Sequence, residues 1–119
     1  MQTIILADFQ EQLDRFLNEE IYFHLETSTG SYAALENPGR IATCAYIRNG
    51  IFRFKEGTIR GDDSSYRVGL KLDNGWLYAE GLTDWELTDD GKLLLAGHDN
   101  EGRLNIGLEL SRTPFDCGE

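Results

Sequence analysis

Cysteine, proline, histidine and long apolar runs are all scarce in this chain, and each scarcity excludes something. Two cysteines, Cys44 and Cys117, stand among 119 residues with no CxxC or Cys/His spacing, which argues against a zinc site. One lies in an apolar strand-like run and the other close to the last residue, a pattern that reads as two free thiols in a reducing compartment. No apolar run approaches the ~18 residues of a membrane span. The opening "MQTIILADFQEQ" lacks the basic segment of a signal peptide. A cytoplasmic protein that does not insert into membranes is expected. Basic residues are outnumbered, 11 against 21 acids, for a net charge of −10, which speaks against nucleic acid as partner. No Gly-x-Ser-x-Gly elbow, P-loop or dinucleotide fingerprint occurs, so the sequence calls for no cofactor and offers no catalytic signature.

What is present points to one folded domain over residues 1–119. Forty per cent of the residues are hydrophobic and 11% aromatic, enough for a core. The charge is uneven: −6 over residues 1–39, +4 over 40–72 and −8 over 73–119, so a basic island divides two acidic stretches. In "ADFQEQLDRFLNEE" the apolar residues Phe9, Leu13, Phe16 and Leu17 fall on one helical stripe, and Asp8 with Glu11 reads as a capping box. After Glu20 the period changes to two. Asn49-Gly50, Asn74-Gly75, "TDDGK" and "DNEG" then predict four hairpin turns. Frequent strand glycines suggest a curled sheet. The fold expected is mainly β, an antiparallel meander, curled or barrel-like, with one N-terminal α-helix.

Hairpin register sorts the side chains into faces. A turn at Asn49-Gly50 would set Ala45, Ile47, Phe52 and Phe54 toward the core and gather Arg48, Arg53 and Lys55 around Tyr46. A turn at Asn74-Gly75 would oppose Leu72 to Leu77 and Leu70 to Ala79 on the core face. Lys71, Trp76, Tyr78 and Glu80 would then stand on the other face, an unusual place for an aromatic pair. A four-residue loop over "DNEG" would oppose His98 to Arg103 and Leu95 to Ile106, with Leu93, Leu95, Leu104, Ile106 and Leu108 inward.

Three functions fit these faces. The leading one is a non-enzymatic binding or accessory module, self-associating as a dimer, that offers polar and aromatic surface to a protein or a small anionic ligand. Its candidate residues are His24, Glu26, Arg48, Arg53, Lys71, Trp76, Tyr78, Glu80, His98 and Arg103. The second is a metal-dependent or acid/base enzyme in which His24, Glu26 and His98 converge, with Glu80 (and its neighbours Asp84 and Glu86) as carboxylates. The third is a carrier with a pocket inside a curled sheet. "ETSTGSY" (residues 26–32) reads as a hairpin loop, or as a backbone nest for an anion.

The strings "YFHLETSTGSY", "AYIRNG", "YRVGLKL", "GWLYAEGLTDWEL" and "LLLAGHDNEGRL" together resemble the YojF-like family of small proteins from Bacillus and relatives, from about residue 8 to Phe115. The resemblance implies an all-β meander of unknown function and an accessory tie to bacillithiol metabolism. It brings no catalytic residues with it.

Overall fold

The computed structural model describes residues 1–29, 43–62 and 64–115. Along the chain run β1 (Gln2–Thr3), α1 (Leu6–Asp14), β2 (Ile21–Thr29), β3 (Thr43–Phe52), β4 (Glu56–Asp62) and β5 (Ser65–Leu72). β6 (Gly75–Leu82), β7 (Asp84–Leu87), β8 (Leu93–His98) and β9 (Leu104–Ser111) complete it. The protein is mainly antiparallel β with one short helix, as expected. It is not a closed barrel. A six-stranded sheet in the order β1-β7-β8-β9-β2-β3 packs on a three-stranded sheet, β4-β5-β6. Within each sheet the hairpins meander, but β9 returns to lie beside β2, so the whole is not one meander.

The helix begins at Leu6, earlier than a capping box at Asp8 requires. Its N-cap is Ile5, with no side-chain cap, and Asp8 instead places a carboxylate in the first turn. Phe9 and Leu13 are buried as the stripe predicts. Gln10 shows why the helix lies where it does. Its amide donates to Gly57 O (2.8 Å) and accepts the Ile59 N–H (3.1 Å), satisfying the open edge of β4.

Rows of opposed residues fill the space between the sheets. Trp85, Leu95, Leu108 and Leu25 align across four strands, and Leu93, Leu110 and Phe23 form the next row. Ile59, Tyr66, Val68, Leu70, Ala79 and Leu82 meet them from the smaller sheet, in a single core cluster that includes Phe9 and Leu13. One residue, Thr83, joins β6 to β7 and so carries the chain from one sheet to the other. At that corner Gly97 passes beneath the backbone: a Cβ there would stand 2.1 Å from Gly81 O.

Register departs from expectation in three places. Asn49-Gly50 is not a hairpin turn, because β3 runs straight through it and pairs with β2. Phe23 opposes Gly50 and Leu25 opposes Ile47, so His24 faces both Arg48 and Asn49 in a β-bulge. Asn49 does adopt positive φ (56°), but bends a strand with it; its side chain holds the backbone of Phe115 through Nδ2–O (3.1 Å) and N–Oδ1 (2.7 Å) bonds. Ile47 is therefore exposed and only Phe54 is fully buried from that expected core face. The second hairpin turns at Asp73-Asn74, so Leu70 opposes Leu77, Lys71 opposes Trp76 and Gly69 opposes Tyr78. Opposed partners move by two positions, which leaves the faces as predicted. In the third, a bulge after Gly97 pairs His98 with Leu104 and Leu95 with Leu108, so Leu104 is exposed and Leu110 takes its place inside. The hairpin at Thr88–Lys92 is as expected, closed by Thr88 N–H to Lys92 O (2.9 Å). A further hairpin joins β4 to β5, where the sequence reading placed no turn. Residues 26–29 of "ETSTGSY" belong to β2 rather than to a loop, and the rest of that stretch lies outside the described residues.

Candidate functional site

The outward face of β4-β5-β6 is a grid of three rows. Glu56, Lys71 and Trp76 oppose one another in the first, Thr58, Gly69 and Tyr78 in the second, Arg60, Arg67 and Glu80 in the third. Strand alternation puts these nine on the side away from the core. Trp76 and Tyr78 are each 47% exposed, and their rings stack at 5.6 Å with planes 7° apart. Arg67 lies over the Tyr78 ring at 4.4 Å, and Lys71 Nζ is 5.9 Å from the Trp76 ring centre. The result is a ladder: cation, phenol, indole, cation. Gly69 makes the centre of the grid hollow. A Cβ there would come within 2.9 Å of Tyr78 Cε1, so the tyrosine leans over bare backbone. A groove of about 240 Å³ runs across this floor, between Glu56 and Thr58 on one side and the aromatic pair on the other, with Arg60 and Arg67 at its end.

The other residues singled out from sequence do not gather here. His24 is buried (5% exposed), with Nε2 2.8 Å from Glu26 Oε1, between the rings of Tyr46 and Phe115. Its Nδ1 has no hydrogen-bond partner among the described residues. His98 belongs to the corner instead. Its Nδ1 is 2.9 Å from Asp84 Oδ2, and its backbone N–H donates to Thr83 Oγ1 (3.1 Å). The two histidines are not brought together. His24 opposes Glu109, which opposes Leu94, and His98 stands four residues further along β8, roughly 13 Å away along the strand direction. Glu80 is in the other sheet. Among the described residues no three His, Cys, Asp or Glu side chains form a metal-binding group.

The expected basic face of Arg48, Arg53 and Lys55 disperses with the hairpin that would have formed it. Arg48 reaches toward the Phe115 ring, Lys55 pairs with Asp73 (3.0 Å), and Arg53 is exposed beyond the end of β3. Arg103 does not face His98; it ties the turn through Asp99 Oδ2 (2.8 Å) and Glu101 Oε2 (3.2 Å). The Arg103 backbone N–H, then its side chain, hold the Asp99 carboxyl below its usual range. Glu56, Thr58, Arg60 and Arg67 are the grid members that sequence reasoning missed. The signal was "GDDSS" (residues 61–65), a turn-rich stretch flanked by alternating "EGTIR" and "YRVGL", which would have placed both arginines on the Trp76 face.

The outward aromatic–cation ladder stands on an open, mainly antiparallel two-sheet β protein. The chain belongs to the family described as "Protein of unknown function (DUF1806)", whose model matches residues 3–115. It is 44% identical over 115 residues to the "Uncharacterized protein YojF" of Bacillus subtilis (strain 168), covering 97% of this chain and 98% of that protein. The crystal structure of Bacillus subtilis YojF is similar throughout, with a TM-score of 0.81 at 40% identity over 97% of this chain and 96% of the other. No helix among the described residues is long and apolar enough to cross a membrane.

Proposed function

We propose that the protein is a non-catalytic binding module and that the outward face of β4-β5-β6 is its working surface. One observation carries this reading: Trp76 and Tyr78 are half exposed, stacked, and bracketed by Arg67 and Lys71 on a sheet face that covers nothing among the described residues. Aromatic side chains and arginine are the residue types enriched where proteins bind others, the aromatics because they offer large contact area at low entropic cost and arginine because it offers a planar fork of donors. The test is chemical-shift mapping with glucose, arginine, citrate and glucose 6-phosphate. Shifts confined to the amides of Thr58, Gly69 and Tyr78 and the Trp76 indole N–H, and lost in the Trp76→Ala/Tyr78→Ala double variant, are expected. Shifts centred on His24 or His98, with this face silent, would overturn the reading.

A second reading concerns self-association. The sequence led us to expect a dimer without fixing its contact, and β3 offers exposed apolar surface for one. Among the described residues it is an outer strand of its sheet, with Tyr46 67%, Ile47 50% and Ile51 56% exposed, and it has no lysine or proline to discourage pairing. A second copy added antiparallel along β3 would extend the sheet by the same ladder. Sedimentation over a concentration series should show a dimer that Ile47→Lys removes; a monomer throughout would exclude it. The cytoplasmic setting rests on the sequence, and the tie to bacillithiol metabolism on the family resemblance.

A further inference from the structure

We propose that Arg60 and Arg67 form an anion clamp, and that the ligand of this face is a hydroxylated organic phosphate or carboxylate. The proposal rests on the outward face being the binding surface, and adds the chemistry of what it takes. Arg60 and Arg67 are directly opposed across β4 and β5. Like charges in that position repel and destabilise a sheet, yet the protein has 21 acids with which to neutralise them. Among the described residues neither guanidinium has a carboxylate within ion-pair distance. Glu80 stands directly across from Arg67, and Arg67 lies on Tyr78 instead. A guanidinium laid on a ring uses its flat face and keeps its N–H donors at the edge, the geometry that grips carboxylate and phosphate oxygens in pairs. Stacking also holds it in place, so less freedom is lost when an anion arrives.

The rest of the groove selects the body of the ligand. From the arginine pair the floor runs past Thr58 and Gly69 to Glu56, four residues along β4 and roughly 13 Å in all. Thr58 and Glu56 offer hydrogen-bond acceptors suited to hydroxyl groups. The lean of Tyr78 over Gly69 leaves a ring wall against which C–H groups can pack. Glu56, at the end of the groove away from the arginines, repels a second anionic group, which disfavours an anion at both ends and favours one charged head on a neutral body.

The experiment compares glucose 6-phosphate, gluconate, inorganic phosphate and glucose by amide shifts and Trp76 fluorescence at low salt. Glucose 6-phosphate and gluconate should move the amides of Thr58, Arg60, Arg67 and Gly69. Arg60→Gln and Arg67→Gln should each weaken them at least tenfold, and Arg53→Gln, at an exposed arginine off this face, should not. Arg60→Lys, which keeps charge but not the fork, should fall between and serves if Arg67→Gln does not fold. Glucose binding as tightly as its phosphate at these amides would overturn the clamp and leave the face as a binding surface. Inorganic phosphate binding as tightly as glucose 6-phosphate would overturn the role given to the body. Silence of the face toward all four would overturn the clamp, and shifts gathering elsewhere would overturn the binding surface with it.

Discussion

Two arginines lie on aromatic rings at the same distance and do opposite things. Arg112 is 4.4 Å from the Phe16 ring centre and Arg67 is 4.4 Å from that of Tyr78. Three donors of Arg112 are engaged: Nε reaches Glu19 Oε1 (2.9 Å), and Nη2 reaches Glu19 Oε2 (3.0 Å) and Arg15 O (2.7 Å). It fastens the end of β9 to the turn after α1. Those bonds hold Arg112 above its ordinary pKa and Glu19 below its own. Arg67 has the ring but no carboxylate, although Glu80 is across the strand. A cation on a ring is a fastening when its edge donors are occupied and a receptor when they are open.

The largest effect is expected at the seam that holds these two regions on one frame. Gly97→Ala would drive a Cβ into Gly81 O, a backbone atom that cannot swing away. We expect a loss of about 3 kcal/mol or more in denaturant unfolding. It should disturb both regions alike, since the corner at Thr83 would have to open. A variant that folds with ordinary stability would show that the two sheets are not locked there, and that the two arginines need not be compared on a common frame.

The next effect is smaller and separates the arginines directly. Arg112→Ala should lower stability by about 1 kcal/mol from the exposed ring contact alone, and leave ligand-induced shifts on the outer face unchanged. Arg67→Ala should leave stability within about 0.5 kcal/mol, because losing the ring contact is offset by relief from Arg60. It should nevertheless abolish the shifts. Thermal unfolding beside the amide titration reads both. Equal stability losses would mean that Arg67 is a fastening too.

Alternation, more than turn identity, made the outer face legible. Trp76, Tyr78 and Lys71 were placed together on the non-core side although the hairpin turns one residue earlier than Asn74-Gly75 suggests. A slip that moves opposed partners by two positions preserves faces, whereas a bulge does not. That is why the Asn49-Gly50 reading failed. An asparagine at positive φ serves a bulge as well as a turn, and only the distant Phe115 backbone shows which. The partner of His98 was illegible for a related reason. Asp99 and Glu101 beside it are occupied with Arg103, while its real partner, Asp84, arrives from across the corner. The Arg60–Arg67 opposition required the β4–β5 hairpin, whose turn carries Asp and Ser rather than Asn-Gly.

The smallest expected effect is a difference in acid, and it tests why Arg112 is a fastening. Glu19 is held below its ordinary value of 4.5, first by the Arg112 side-chain hydrogen bond and then by its charge. A carboxyl whose folded pKa is depressed stabilises the fold above its unfolded pKa, and that share disappears as the pH falls through the folded value. Asp62, Asp90 and Asp99 are lowered too, so the parent loses stability in acid for several reasons. Subtracting Arg112→Ala from the parent isolates Glu19. The gap in melting temperature between them should be full near neutral pH and narrow once the pH drops below the ordinary glutamate range. The same subtraction for Arg67→Ala should give no narrowing, since no carboxylate is engaged there. A constant Arg112→Ala gap would assign the fastening to the Phe16 ring and Arg15 carbonyl alone. The two arginines would then differ only in the backbone bond, and the contrast would weaken to that extent.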